Sequence, residues 1–190
     1  MIKKVILVLF ACSLLTMCKD KPRSTEDGMN APFAGPYVTA YDSLDQMTLP
    51  LTLSWEVWDS LYQLHVEKYG PVHGEDVSDN PFAKLAEGEA FKSFVFISTD
   101  QTGAPVIITY DRAGSKIDEL SLLGDIAGND PERDTRELAI INKDLTIQLI
   151  DSTWTYRLKE DGDREENSQK LEISNVLYKI SAAGKFDGVR

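Results

Sequence analysis

Cysteine is almost absent from this chain of 190 residues, which contains only Cys12 and Cys18. Because both lie within the first 18 residues, the rest of the chain can form neither a disulfide nor a thiolate zinc site. Histidine is equally scarce, with His65 and His73 as the two imidazoles. With 42% hydrophobic residues, the folded part is expected to be held together by packing of an ordinary apolar core.

Positive charge is also in short supply. The chain has 20 Lys and Arg against 31 Asp and Glu, which gives a formal net charge of −11. Nucleic acids require clustered Lys and Arg, and anionic lipid surfaces attract basic segments. The composition therefore argues against nucleic acid as a partner and against membrane docking through charge, whereas a basic protein partner remains compatible with it.

Motifs for catalysis, cofactors and metals are missing as well. The sequence has no Gly-x-Ser-x-Gly elbow, no Walker loop and no Gly-x-Gly-x-x-Gly fingerprint. Two acidic clusters, within residues 125–134 and 160–166, do not match a calcium-binding loop and are predicted to be solvated loops. We therefore predict no enzyme activity, no cofactor and no metal site.

The longest apolar run lies at the N-terminus, from Val5 to Leu15, and follows Lys3 and Lys4. A membrane-spanning helix needs roughly 20 apolar residues, so this run is too short to cross a bilayer. A positive start followed by a short apolar stretch is typical of a secretory signal peptide.

The end of this run carries a processing motif. Leu15-Thr16-Met17-Cys18 resembles the lipobox of bacterial lipoproteins, in which a Leu lies three residues before a Cys that is lipidated and becomes residue one. The charged Lys19-Asp20 that follows is similar to the post-cysteine tract of small Bacteroidota-type lipoproteins of unassigned function. The resemblance implies lipidation of Cys18, for example with palmitate, which would anchor the protein in the outer membrane. In that group, a charged tract after the cysteine favours display of the protein on the outer face.

One position of the motif departs from that family, and a second cysteine offers an alternative site. Met17 occupies the position that usually holds a small residue, and Cys12 has the better small neighbour in Ala11. Cleavage before Cys12 would leave a very short apolar region and an apolar mature end, so Cys18 is the favoured site and Cys12 the alternative. The motif divides the chain into a signal peptide (1–17), lipidated Cys18 with a flexible tether (18–36), and one globular domain (37–190).

The clearest predicted element is a helix from Ser54 to Tyr69. Ser54 is a suitable N-cap, and Gly70 followed by Pro71 would end the helix. At about 100° per residue the apolar arc covers half of the circumference, so this helix is expected to contact two different surfaces. One stripe of the arc is aromatic (Trp55, Trp58, Tyr62, His65 and Tyr69), and the adjoining one is aliphatic (Val57, Leu61 and Leu64).

From Phe91 onward the pattern indicates strands with short connections and no crossover helices. A second short helix is predicted for Asn80 to Glu87. The predicted fold class is α+β, with one main amphipathic helix packed on an antiparallel meander sheet of about five to seven strands. Apolar residues change parity within residues 145–158 and again at Asn175, which predicts a bulge near Asp151-Ser152 and a similar irregularity at Asn175.

Candidate ligand-binding residues come from the aromatic stripe of the helix. Trp55, Trp58, Tyr62 and His65 are either the core face of the helix or, if the aliphatic stripe faces the sheet, a platform that lines a cleft. The leading hypothesis is a non-catalytic binding or accessory domain for a peptide, glycan or protein. The alternatives are an acidic inhibitor or immunity-type protein that binds a basic partner and, least favoured, a hydrolase built on His65 or His73; the oligomeric state stays open.

Overall fold

The computed structural model describes residues 33, 41, 43–70, 80–99, 103–124 and 130–189. Within these residues nine strands form two antiparallel sheets, accompanied by one helix of 15 residues. In chain order the elements are β1 (Leu51–Leu53), α1 (Trp55–Tyr69), β2 (Pro81–Glu87), β3 (Phe91–Ile97), β4 (Pro105–Asp111), β5 (Lys116–Ser121), β6 (Arg133–Ile141), β7 (Thr146–Thr155), β8 (Lys170–Ile180) and β9 (Phe186–Val189). The strand orders are β1-β6-β7-β8-β9 and β2-β3-β4-β5.

The predicted α+β fold class is wrong, because the described chain is mostly β and its strands form two sheets instead of one meander. The segment expected to form a helix at Asn80 to Glu87 is strand β2, which pairs with β3. Pro81 is the first residue of this strand, a position where a strand tolerates proline although proline has no N–H to donate to the sheet. Pairing with the strongly apolar β3 outweighs the weak helical signal of this short segment.

Strands β3 and β4 explain why a second sheet is needed. Every residue of β3 is buried, and so is β4 from Pro105 to Tyr110. Strands buried on both faces read as continuous apolar runs, and one helix cannot cover both sides of them. One face packs against the five-stranded sheet in a shared core that includes Val95, Ile107, Ile141 and Ile147, all 0% exposed.

The other face of the four-stranded sheet is covered by residues that precede β1. The rings of Phe94 and Phe96 each meet the ring of Tyr41 edge-on, with centroids 5.5 Å apart. Leu44 and Phe33 pack against the same cluster. Offset and edge-on ring contacts of this kind add about 0.5–1.5 kcal/mol beyond area burial, so this aromatic layer stabilises the sheet from outside.

The two sheets meet at a seam where β5 and β9 approach each other. The Thr109 hydroxyl donates a buried 2.6 Å hydrogen bond to the Gly184 carbonyl, and the Phe186 N–H donates to the Asp118 carboxylate at 3.0 Å. A hydrogen bond to an ionised acceptor is stronger than a neutral one. These bonds tie the β8–β9 turn directly to the four-stranded sheet.

The bulges predicted near Asp151-Ser152 and at Asn175 are wrong. The register of β6, β7 and β8 is continuous, with Glu137 opposite Asp151 and Ile150 opposite Asn175. Since a strand places alternate residues on opposite faces, the parity change leaves apolar side chains on both faces of the five-stranded sheet. The register shifts that do occur lie in the β2–β3 and β4–β5 pairs.

A glycine pair tests how tightly the seam is packed. Gly184 has φ +80°, and a Cβ there would lie 2.8 Å from both the Phe91 Cβ and the Ile117 Cδ1, whereas Gly162 has φ +87° with open space around it. We expect Gly184→Ala to lower the free energy of unfolding by about 2–4 kcal/mol, through left-handed strain plus overpacking. Gly162→Ala should cost about 1 kcal/mol, through strain alone. Urea unfolding monitored by circular dichroism measures both, and equal losses would contradict the close packing at Gly184.

Candidate functional site

The helix forms where the sequence places its caps, and its prediction is confirmed. The Ser54 hydroxyl accepts a hydrogen bond from the Val57 N–H at 3.4 Å, satisfying one of the free donors of the first turn. Gly70, at φ +92°, ends the helix and donates its N–H to the Val66 carbonyl at 2.8 Å. A rigid helix with defined ends holds its side chains in fixed positions over the sheets.

The N-terminal part of the aromatic stripe of α1 faces the core between the two sheets. Trp58 is 1% exposed, donates its indole N–H to the Gly103 carbonyl at 2.9 Å, and packs on the Phe82 ring at 4.8 Å. Trp55 is half-buried and donates to the Glu137 carboxylate at 3.3 Å. Trp58 is therefore a core residue with a satisfied polar tip, and it offers no exposed platform for a sugar ring.

The aliphatic stripe of α1 faces outward instead. Val57 is 40% exposed and Leu64 is 61% exposed, while Leu61 between them is half-buried against the core. The condition under which the aromatics would line a cleft, namely burial of the aliphatic stripe against the sheet, is not met. The wide apolar arc thus has Trp58 and Leu61 on the core side, whereas Val57, Leu64 and Tyr69 lie at the surface.

A groove of about 310 Å³ lies beside the exposed aliphatic stripe. One wall is the C-terminal half of α1, and the other is the segment 45–51, which pairs with β2 through the Met47 N–H to Lys84 carbonyl bond of 2.7 Å. The size is at the lower end for a small-molecule site. Its apolar and aromatic lining includes Met47, Leu51, Leu61, Leu64, His65 and Phe82.

His65 forms part of the floor of this groove. Its imidazole stacks on the Phe82 ring with centroids 5.0 Å apart and lies 4.9 Å from the Tyr69 ring. Burial, and secondarily the charge of Lys68, lower the pKa of His65, so the ring is neutral at pH 7. Among the described residues no serine or carboxylate forms a hydrogen bond with His65, so its surroundings are those of a packed aromatic ring.

The rim of the groove carries a paired charge. The Lys68 ammonium lies 2.5 Å from the Asp45 carboxylate, to which the Tyr69 hydroxyl also donates at 3.2 Å. The hydrogen bond from Lys68 is the main cause that lowers the pKa of Asp45, and its counterpart from Asp45 raises the pKa of Lys68. Because the two charges neutralise each other, the rim favours an uncharged ligand over an anion or a cation.

Of the four candidate residues predicted from the sequence, one lines the groove and three do not. His65 lines the groove, whereas Trp55, Trp58 and Tyr62 pack on or in the core and do not line it. The remaining wall residues, such as Met47 and Phe82, were missed because they lie outside the helical stripe, in the segment before α1 and in β2, and only the fold brings them against it. Cys18 and His73 lie outside the described residues.

A second feature joins the two acidic segments found in the sequence. Arg164 makes a bidentate contact with Asp134 at 2.7 and 2.8 Å, donates to the Pro131 carbonyl at 2.8 Å, and lies 3.9 Å above the Tyr156 ring. Arg164 is the main cause that lowers the pKa of Asp134 to about 2, with Tyr156 contributing. The loop between β7 and β8, predicted to be a solvated acidic loop, is thus fastened to the chain that enters β6.

The described residues contain neither a cluster suited to a metal ion nor a membrane-spanning helix. Over this part of the chain no group of three His, Cys, Asp or Glu side chains is placed to hold a metal ion. No helix there has the length and apolar character needed to span a membrane. Comparison with known proteins found no matching family model, no matching curated protein and no matching solved structure.

Tryptophan fluorescence tests the orientation of α1. In three variants that each keep one of Trp55, Trp58 and Trp154 and carry Phe at the other two, iodide should quench Trp58 far less than the other two. The reason is that Trp58 alone is fully buried, whereas Trp55 and Trp154 are only partly buried. Stern–Volmer constants measure the difference, and quenching of Trp58 as strong as that of Trp154 would contradict the burial of Trp58 in the core.

Proposed function

We propose that this chain is a cell-envelope lipoprotein, anchored in the outer membrane through Cys18, whose domain binds an apolar side chain of an extended peptide without catalysis. The anchor is supported by Leu15-Thr16-Met17-Cys18 and the signal-like run before it. Several acyl chains on one cysteine hold a protein firmly, because each buried methylene contributes about 0.8 kcal/mol. The binding role is supported by the groove beside α1.

The observation that carries the binding role is Leu64. A leucine with 61% of its surface exposed, at the edge of an apolar groove, loses contact with water only when something occupies that groove. Burying a leucine side chain is worth about 1.5–3 kcal/mol. A ligand that covers Leu64 gains part of this free energy. Val57, two turns earlier on the helix, is also exposed but does not line the groove.

The chemistry of the groove favours a peptide side chain over a fatty acid or a sugar. The volume of about 310 Å³ fits one or two side chains. Lys68 is already held by Asp45, so a ligand carboxylate finds no free cation there and meets Asp45 instead. A sugar would require a free aromatic face, whereas the His65 and Phe82 rings stack on each other and the Lys68 ammonium lies over the Tyr69 ring, 4.8 Å from its centroid.

A second candidate function is the acidic inhibitor or immunity-type protein. Its support is the contact of Arg164 with Asp134 and Pro131, which holds two acid-rich segments at one end of the five-stranded sheet. A basic partner would recognise this end through charge, so its binding would weaken as salt rises. Binding in the apolar groove would change little with salt, which separates the two candidates.

Lipidation is tested at both cysteines. We expect cells that express the full chain to incorporate labelled palmitate into it, and Cys18→Ala to abolish both incorporation and the release of a shortened mature chain. Cys12→Ala should leave both unchanged, because Cys12 would be removed with the signal peptide. Labelling that survives in Cys18→Ala and disappears in Cys12→Ala would move the anchor to Cys12, and no labelling in any form would overturn the lipoprotein assignment.

Groove binding is tested with N-acetyl-leucinamide as the probe. Titration followed by ¹H–¹⁵N NMR should shift the amides of the groove, including Leu64 and Met47, in a saturable way. Leu64→Gln should weaken the affinity about fivefold, since about 1 kcal/mol of apolar contact is lost.

The matched control is Val57→Gln on the same helix, which is also exposed but does not line the groove. It should leave the affinity unchanged and so excludes a general effect on α1. If the probe shifts no groove amide, or if both variants bind equally well, the groove is not the binding site.

A further inference from the structure

The five-stranded sheet carries a second apolar surface on the side away from the shared core. We call it the outer apolar face; its main members are Leu138, Ile150, Leu171, Ile173, Leu177 and Val189. Ile173 is 63% exposed, Leu171 50% and Val189 46%. An antiparallel sheet with one free face normally places polar residues there, so this apolar set needs an explanation.

Register places the apolar side chains of this face in neighbouring rows, with the hydrogen-bonded side chains of Gln148 and Asn175 among them. Leu171 lies opposite Trp154 on β7, and Leu177 lies opposite Val189 on β9. Because β7 and β8 pair without a bulge over their whole length, no local twist turns these side chains inward. The parity change in the sequence is therefore the mark of a sheet with two apolar faces.

Charge on this face is almost balanced, although the chain as a whole is strongly acidic. Its cations are Arg136 and Lys179, and its anions are Asp134 and Asp187. Asp134 is bound by Arg164, and Lys179 lies directly opposite Asp187. On a chain of net charge −11, such a face is where a second copy can approach with little repulsion.

The two ends of the face have opposite charge. Residues 157–166, at the end near the β7–β8 loop, contain five acids and three bases. At the opposite end Lys143, Lys179 and Lys185 outnumber two aspartates. Two copies related by a two-fold axis perpendicular to the strands face each other with antiparallel strands, which brings the acidic end of each against the lysine-rich end of the other.

The size of the face fits such a contact. The three long strands β6, β7 and β8 have 9, 10 and 11 residues and, with β9, span about 30 Å by 19 Å, or about 600 Å² in projection. A standard interface buries about 800 Å² of accessible surface on each partner. We propose that the outer apolar face binds a second copy of this chain, forming an isologous dimer with the two sheets antiparallel.

Solution mass tests the dimer. The full chain, produced with its own N-terminal segment and purified in detergent, should show twice the protein mass by light scattering that separates protein from detergent. Ile173→Lys should weaken dimerisation at least about thirtyfold, because a charge would enter the centre of an apolar contact.

The matched control is Val176→Lys, which places the same charge on the same strand at a 41% exposed residue of the opposite face. It should stay dimeric, and near-UV circular dichroism checks that both variants are folded. Three results would each overturn the proposal: a monomeric parent chain at 100 μM, a dimer that Ile173→Lys leaves intact, or folded variants that both dissociate. Tighter binding to phosphatidylcholine vesicles by a monomeric parent than by Ile173→Lys, which has the same anchor, would assign the face to lipid instead.

Discussion

Strands β3 and β4 are apolar on both faces, and each face therefore has to be covered by a different part of the chain. The five-stranded sheet covers one side, and Tyr41 with its neighbours covers the other. At about 25 cal/mol for each Å² of apolar surface, leaving either side open would cost several kcal/mol, which is comparable to the whole stability of a small protein. The position of α1, the groove and the seam all follow from this double burial.

How far the sequence predicts this fold depends on how local each signal is. The helix caps Ser54 and Gly70 act within a few residues, so the helix was predicted correctly from them. Strands β3 and β4 were also recognisable from their own composition. The division into two sheets was not, because it depends on which strands meet across long separations, such as β1 with β6. The same limit applies to the site, where His65 was identified and its neighbour Phe82 was missed.

The parity change in β7 is real, but the bulge predicted from it is absent. A bulge was predicted because only one face of the sheet was assumed to be apolar, so that all apolar side chains had to point to that face. The continuous pairing of Ile150 with Asn175 shows that this assumption fails here. The two surfaces that remain exposed, beside α1 and on the outer face, are both low in net charge, and the surplus acids lie mainly in loops and at strand ends.

The seam at Gly184 has a consequence for how the protein is made. Strand β9 follows the other described strands, and the turn before it must reach Phe91 and Thr109, which lie some 75 to 93 residues before Gly184. The seam therefore cannot form until β9 has left the ribosome. A chain that stops before β9 would lack the strand that contacts β5 and would expose the edge of β8, where another strand can pair.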